Sequence, residues 1–232
     1  MELVNAKNEI ISTTQELYDA FNQFIFSTDT KVFAKLVARS LLVDQVKNIP
    51  GDIVECGVFK GSGVLTWLKL KKIMFPNSIK KVIGFDFFDT NSLLSSLGGD
   101  DQKKMAALFN SRNFSHEEGA LAYLHDTIKN AGFTEADYEL VKGDIRESAY
   151  DFVNERPGFK ISLLYLDLDL QQPTYDALQA LWERVSVGGI VVFDEYGYHQ
   201  WSESLGVDKF FESKGAVVKT LDYLCPTAYV QK

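Results

Sequence analysis

Two short stretches of this 232-residue chain concentrate acids where chemistry is possible: "YLDLDLQQPT" and "VVFDEYG". In an extended strand, residues two apart face the same side, so Asp167 and Asp169 are expected to lie together. The stretch from Asp167 to Asp194 holds one helix and one strand, and the right-handed crossover of such a unit sets the two strand ends side by side. Asp167, Asp169, Asp194 and Glu195 would then crowd one small region. Like charges this close raise one another's pKa unless a cation neutralises them. A hard divalent ion with oxygen ligands, Mg²⁺ foremost, is the expected partner. The competing expectation is a set of helix caps and water-facing acids.

Further signals lie upstream. In "DIVECGVFKGSG" a short apolar strand runs into a glycine turn. Glycines let such a turn pass close to a ligand, and the helix after it presents free N–H groups. The stretch does not match G-x-G-x-x-G, so the turn alone is weak evidence. Asp86 ends the next strand, where an acid can accept hydrogen bonds from both ribose hydroxyls; a nicotinamide site would show the same acid. Asp144, in "VKGDIRES", can accept a hydrogen bond from an adenine amino group with Ile145 lying on the ring, and can equally cap the helix that follows. His199, in "DEYGYHQW", is a candidate to contact substrate or to act as an alternative base. Tyr196, Tyr198 and Trp201 suit an apolar acceptor wall or an ordinary loop anchor. His116 and His125 have at most a place in the acceptor pocket.

The elements that must position these residues follow from periodicity. Residues 13–26 and 30–48 read as helices, with Leu17, Phe21, Phe24 and Ile25, then Val32, Phe33, Leu36, Val37, Leu41 and Leu42, at helical spacing. Pro50-Gly51 ends this segment, and strands and helices then alternate. The expected strands are "DIVEC", "KKVIGFD", "DYELVKGD", "ISLLYLDLD" and "GGIVVFDE"; the helices between them include 62–74, 145–154 and 173–185. Near-continuous apolar strands separated by helices imply a parallel sheet covered on both faces. In such sheets ligands bind beyond the carboxyl ends of the strands, which is where these acids fall. The last stretch, "GAVVKTLDYLCPTAYVQK", has no room for a helix between its strand-like halves and reads as a closing antiparallel pair. Residues 90–132 interrupt the rhythm, and an insertion this long is expected to act as a lid or as a solvated helical excursion.

Composition sets the outer bounds. With 46% hydrophobic and 13% aromatic residues, the chain can bury a large core. A net charge of -8 with no long basic run argues against nucleic acid as a partner. No window is apolar enough to span a membrane and no signal peptide is visible, so a cytoplasmic protein is expected. Cys56 and Cys225 form no metal motif; a buried, reduced thiol is expected at Cys56.

The order "GDIVECGVFKGSG … VIGFDFF … GDIRES … YLDLDLQQPTYDAL … SVGGIVVFDEYG" resembles the macrocin O-methyltransferase (TylF-type) family of class I S-adenosylmethionine-dependent enzymes, which methylate sugar hydroxyls on natural products. The likeness spans about residues 50 to 200. It implies a Rossmann-like doubly wound α/β fold: a mostly parallel sheet with a C-terminal antiparallel strand pair, N-terminal helices and a helical lid insertion. With the elements read above, the expected division is a helical segment over 1–48 packed on a methyltransferase domain over 49–232, with the lid-like insertion at 90–132. The resemblance further implies that Glu55, Gly57, Gly61 and Ser62 surround the methionine part of S-adenosylmethionine, that Asp86 holds the ribose, and that Asp144 and Ile145 hold the adenine. Asp167, Asp194 and Glu195 would ligate Mg²⁺ and Asp169 would be the general base. Family members commonly carry two aspartates where this chain has Asp194-Glu195, which loosens the expectation for Glu195. The expected acceptor is a small molecule, a sugar hydroxyl. The N-terminal helices are expected to cover the cofactor site or to form a subunit contact in a homo-oligomer. A nicotinamide-dependent oxidoreductase and a non-catalytic binding module remain alternatives, although the first gives no reason for four clustered carboxylates.

Overall fold

The computed structural model describes residues 3–4, 10–11, 14–115 and 119–232. Leu3–Val4 (β1) and Ile10–Ile11 (β2) pair as a two-stranded antiparallel ribbon. Two helices follow, Gln15–Phe26 (α1) and Thr30–Val46 (α2), with Thr14 and Asp29 accepting hydrogen bonds from backbone amides at their N-caps. The main sheet has the strands Asp52–Cys56 (β3), Val82–Asp86 (β4), Tyr138–Lys142 (β5), Ile161–Leu166 (β6), Val185–Phe193 (β7), Lys219–Thr220 (β8) and Ala228–Gln231 (β9). Its order is β5-β4-β3-β6-β7-β9-β8; the first five are parallel and the last two antiparallel, as the apolar strand runs and the helix-free tail require. The strand order reverses between β4 and β6 on either side of β3, the position where open α/β sheets carry their ligand crevice.

Helices cover both faces because every central strand is buried on both. Along β6, Leu164 and Leu166 join one apolar cluster while Leu163 and Tyr165 join the other, the period-2 alternation of a strand. One face packs against Ile145–Glu155 (α7), Gln171–Leu181 (α8) and Glu203–Phe211 (α9). The other packs against the back half of α2, Ser62–Met74 (α3) and Ala120–Asn130 (α6).

The structure divides the 90–132 insertion. Thr90–Ser96 (α4) and Gly99–Ser111 (α5) form a satellite cluster through Met105 and Phe109 against Leu170. Helix α6 is an ordinary crossover helix, because Leu124 and Ile128, one turn apart, are buried against the sheet. The N-terminal segment is likewise split. Only Ala38, Arg39, Leu42, Val43 and Val46 of α2 are buried, and α1 buries none of its residues. The helical spacing seen in the sequence is real, but Leu17, Phe21, Val32, Phe33 and Leu36 stay exposed. No helix among the described residues is long and apolar enough to cross a membrane.

Two departures bear on the site. The fourth strand stops at Leu166, so Asp167 and Asp169 lie past its end, and strand alternation does not align them. Asp169 instead takes a left-handed conformation, φ 62°, a region that is strained for an L-residue and concentrates at functional sites. At Gly57, φ is 89° and a Cβ would stand 1.9 Å from the Asp167 carbonyl oxygen. The glycine turn is thus shaped partly by the neighbouring strand end. We expect Gly57→Ala to lower the free energy of unfolding by at least ~2 kcal/mol, read as a drop in urea midpoint; an unchanged midpoint would show that the close approach is not sustained in solution.

Candidate active site

The carboxyl ends of β3 to β7 open into a cavity of about 810 Å³, toward the upper end of the range for small-molecule sites. It is lined by Gly57, Asp86, Asp144 and Ile145, at or past the ends of β3, β4 and β5, and by Asp167, Asp169, Asp194, Glu195 and His199, past β6 and β7. Leu93, Met105, Leu108 and Phe109 of α4 and α5 contribute an apolar wall, and Lys31, Val32 and Lys35 of α2 also line it. Trp201 and Tyr198 also reach the cavity, with the Tyr198 hydroxyl donating to the Leu224 carbonyl; Tyr196 is tied to Asp208 instead. His125 is held by the Tyr138 hydroxyl at 2.9 Å and does not line the cavity. His116 lies outside the described residues.

Three residues expected around the methionine end are not on the lining. The Glu55 carboxylate turns under the sheet, where Oε1 accepts from Arg39 at 2.9 Å and a Cβ on Gly63 would meet it at 1.9 Å. Strand alternation puts Glu55 on the α2/α3 face, which is why it points away from the crevice. Gly61 starts α3 in a left-handed conformation, where a Cβ would strike Leu124, and Ser62 follows it into the helix. Packing therefore accounts for Gly61 and Gly63; of the three glycines only Gly57 faces the cavity.

The nucleoside-side acids are partly engaged already. Asp86 accepts from the backbone amides of Val58 and Phe59 through Oδ2 (2.8 and 2.9 Å) and of Phe88 through Oδ1 (2.9 Å). A carboxylate offers about four acceptor positions, so Asp86 both fastens the glycine turn and keeps capacity for a ligand hydroxyl. Asp144 caps α7 through the Arg146 amide at 3.0 Å and is gripped by the Arg146 guanidinium.

The acids beyond β6 and β7 do converge, as their spacing predicts, but the cation between them comes from the chain. Lys35 Nζ stands 2.9 Å from Oδ2 of both Asp167 and Asp194. One turn earlier Lys31 lies 3.6 Å from Glu195, and one turn later Arg39 meets Glu55. These three cations, four residues apart along one face of α2, escaped the reading of the sequence; their spacing marks a charged face but not its partners. Asp194 is buried further by Tyr165, whose hydroxyl donates to Oδ1, and by the Cys225 thiol at 2.7 Å from Oδ2. Glu203, also missed, is fully buried and accepts from the Glu195 amide at 3.1 Å.

Burial governs the charge states. It pushes the Asp169 carboxyl well above the usual range, helped by Asp167 and Glu195, and does the same to Glu203 beside Asp194. Asp167 rises to about 6, through burial and then Asp194, against the pull of Lys35. Burial alone would lower Lys35, but Asp167 and Asp194 outweigh it and hold the ammonium charged.

The fit to a divalent ion is of two kinds. Asp167, Asp194 and Glu195 supply hard oxygen donors of the type Mg²⁺ takes, and Glu195 Oε2 is buried without a hydrogen-bond partner. As arranged, however, Lys35 holds the position between the two aspartates, and no group of three or more His, Cys, Asp or Glu among the described residues is set for a metal. The donors suit the ion; the ammonium must leave before it can bind.

Residues 35–225 match the macrocin-O-methyltransferase (TylF) family. The chain belongs to that family. It is 28% identical over 151 residues to 8-demethyl-8-(2,3-dimethoxy-alpha-L-rhamnosyl)-tetracenomycin-C 4'-O-methyltransferase of Streptomyces olivaceus, and 28% identical over 154 residues to demethyldecarbamoylnovobiocin O-methyltransferase of Streptomyces niveus. Each match covers 64% of this chain and 54% of the relative, so the chain spans about half the length of these curated relatives. The crystal structure of the calicheamicin methyltransferase CalS11 shares the fold, with a TM-score of 0.73 at 24% identity over 95% of this chain and 94% of that chain. An apo structure of CalS11, described as a TDP-rhamnose 3'-O-methyltransferase, gives 0.68 at 26% identity, covering 94% and 86%.

For this TylF-family chain the Arg39–Glu55 pair has a direct consequence. Burial raises Glu55 from the ordinary 4.5 to about 7, with Arg39 opposing it. Between those values the unfolded chain loses a proton that the folded protein keeps, so stability falls as pH rises. Glu55→Gln is expected to flatten that fall between about pH 4.5 and 7 in urea titrations; an unchanged slope would remove Glu55 as its source. Arg39→Met leaves a buried carboxylate unpaired and is expected to lower stability by about 3–5 kcal/mol, with Arg39→Met/Glu55→Leu recovering most of it.

Proposed function

We propose that the protein is an S-adenosylmethionine-dependent O-methyltransferase acting on a hydroxyl of a sugar or glycosylated natural product. The observation that carries this reading is the shared cavity. Gly57, Asp86, Asp144 and Ile145 line it at or past the ends of β3, β4 and β5, and Asp167, Asp169, Asp194 and Glu195 line it past β6 and β7. The first group suits a nucleoside, with Asp86 toward ribose hydroxyls and Ile145 toward a purine face; the second suits an alcohol that must lose a proton. The names of the relatives support the class of acceptor.

When bound, S-adenosylmethionine would supply an electrophilic sulfonium methyl; Asp167, Asp194 and Glu195 would hold Mg²⁺, which would supply Lewis acidity toward a hydroxyl. The rest falls to the chain. Asp169 is the general base: burial, with Asp167 and Glu195 beside it, raises its carboxyl above the usual range and so makes the carboxylate a stronger proton acceptor. Its left-handed backbone places it past the end of β6, within the acid cluster. His199, past β7, is the alternative base or an acceptor contact. Glu203 orients the 194–195 turn through the Glu195 amide. The apolar wall of α4 and α5 acts as the lid, excluding water from the transfer and holding the two reactants in line.

The test is methyl transfer from labelled S-adenosylmethionine to a panel of nucleotide-linked sugars and glycosylated natural products. Asp169→Asn is expected to lower kcat at least ~10²-fold, the range for loss of a general base, while S-adenosylhomocysteine binding measured by calorimetry stays unchanged. Full activity of Asp169→Asn would reassign the base to His199. No transfer to any acceptor, with no binding of S-adenosylhomocysteine, would overturn the proposal.

A further inference from the structure

We propose that Lys35 is a tethered cation occupying the seat of a divalent ion between Asp167 and Asp194, so that docking of the front of α2 and metal loading exclude one another. This rests on the methyltransferase reading of the same carboxylates and adds a coupling between the N-terminal segment and the metal site.

The geometry leaves room for one occupant. Lys35 Nζ is 2.9 Å from Oδ2 of Asp167 and 2.9 Å from Oδ2 of Asp194. A magnesium ion stands about 2.0–2.1 Å from its oxygen ligands. An ammonium hydrogen-bonded to the same two atoms would lie inside that ion's coordination shell, with like charges a few ångströms apart. The third donor, Glu195, pairs with Lys31 rather than Lys35 and lies against Asp169, with its Oε2 buried. Lys35 thus neutralises the pair without satisfying the whole donor set.

The tether sits on a segment able to leave. The back of α2 is anchored by buried Leu42, Val43 and Val46 and by the Arg39–Glu55 pair. The front, Thr30 to Val37, has no buried residue, and α1 ahead of it has none either. Val32, Phe33 and Leu36 are half exposed. The Lys35 contacts to Asp167 and Asp194, both at 2.9 Å, are therefore the main tie of the front to the strand ends, and their loss leaves the core packed. The Lys31–Glu195 contact is longer, at 3.6 Å, and more exposed. Helices with few buried contacts are the ones that open locally at low free-energy cost.

Mn²⁺ binding, followed by the loss of the free-ion electron paramagnetic resonance signal, separates competition from simple charge repulsion. Lys35→Met is expected to bind Mn²⁺ at least tenfold more tightly than the wild type. Lys31→Met removes a neighbouring charge without vacating the seat and is expected to shift affinity less than threefold. Saturating Mg²⁺ is expected to speed chymotryptic cleavage within residues 14–37 of the wild type severalfold, and to have no effect in Asp194→Asn. Equal shifts in the two lysine variants, cleavage indifferent to Mg²⁺, or no Mn²⁺ binding to any form would each overturn the proposal. Calorimetric binding of S-adenosylhomocysteine to the same samples reports separately on the methyltransferase reading. Binding there with no Lys35 effect sinks only the tether, whereas absent binding sinks the reading beneath it.

Discussion

The constraint on which the site depends is the need to balance carboxylates gathered at the ends of parallel strands. Side by side, Asp167 and Asp194 cannot both stay ionised in a buried setting without a cation, because desolvation and mutual repulsion act in the same direction. The chain answers with α2. Its Lys31, Lys35 and Arg39, each one turn from the next, meet Glu195, the Asp167/Asp194 pair and Glu55 in turn. A helix set across the strand ends can do this because its four-residue repeat carries one side-chain face over several strands.

That arrangement explains why α2 is only half a core helix. Its back half is buried against the sheet with α3, and its front half is held by charge over the cavity. The same division runs through the rest of the rim. Helix α6 supplies apolar side chains to the core, while α4 and α5 cover the cavity with a small cluster of their own. Rigid layers thus hold the acids in place, and less buried elements surround the opening, as expected where ligands must enter and leave.

Within the cluster, the acids sit in different surroundings. Asp169 and Glu203 are both pushed up by burial among negative neighbours. Asp194 is fixed by the Tyr165 hydroxyl and the Cys225 thiol as well as by Lys35.

The sequence by itself determined the parallel sheet, its closing antiparallel pair, and the placing of acids at strand ends, because apolar runs and strand–helix alternation are local signals. The crowding of Asp167, Asp169, Asp194 and Glu195 was also legible, since crossover handedness brings neighbouring strand ends together. Only the tertiary structure decided which way each side chain turns. Glu55 faces α2 rather than the crevice because of its parity along β3, and Asp169 enters the site through a left-handed turn rather than through strand alternation. The partner of the acids was beyond reach for a further reason. Lys35 lies 132 residues from Asp167 in the chain, and no local pattern reports a contact at that separation; only the docking of α2 on the sheet creates it.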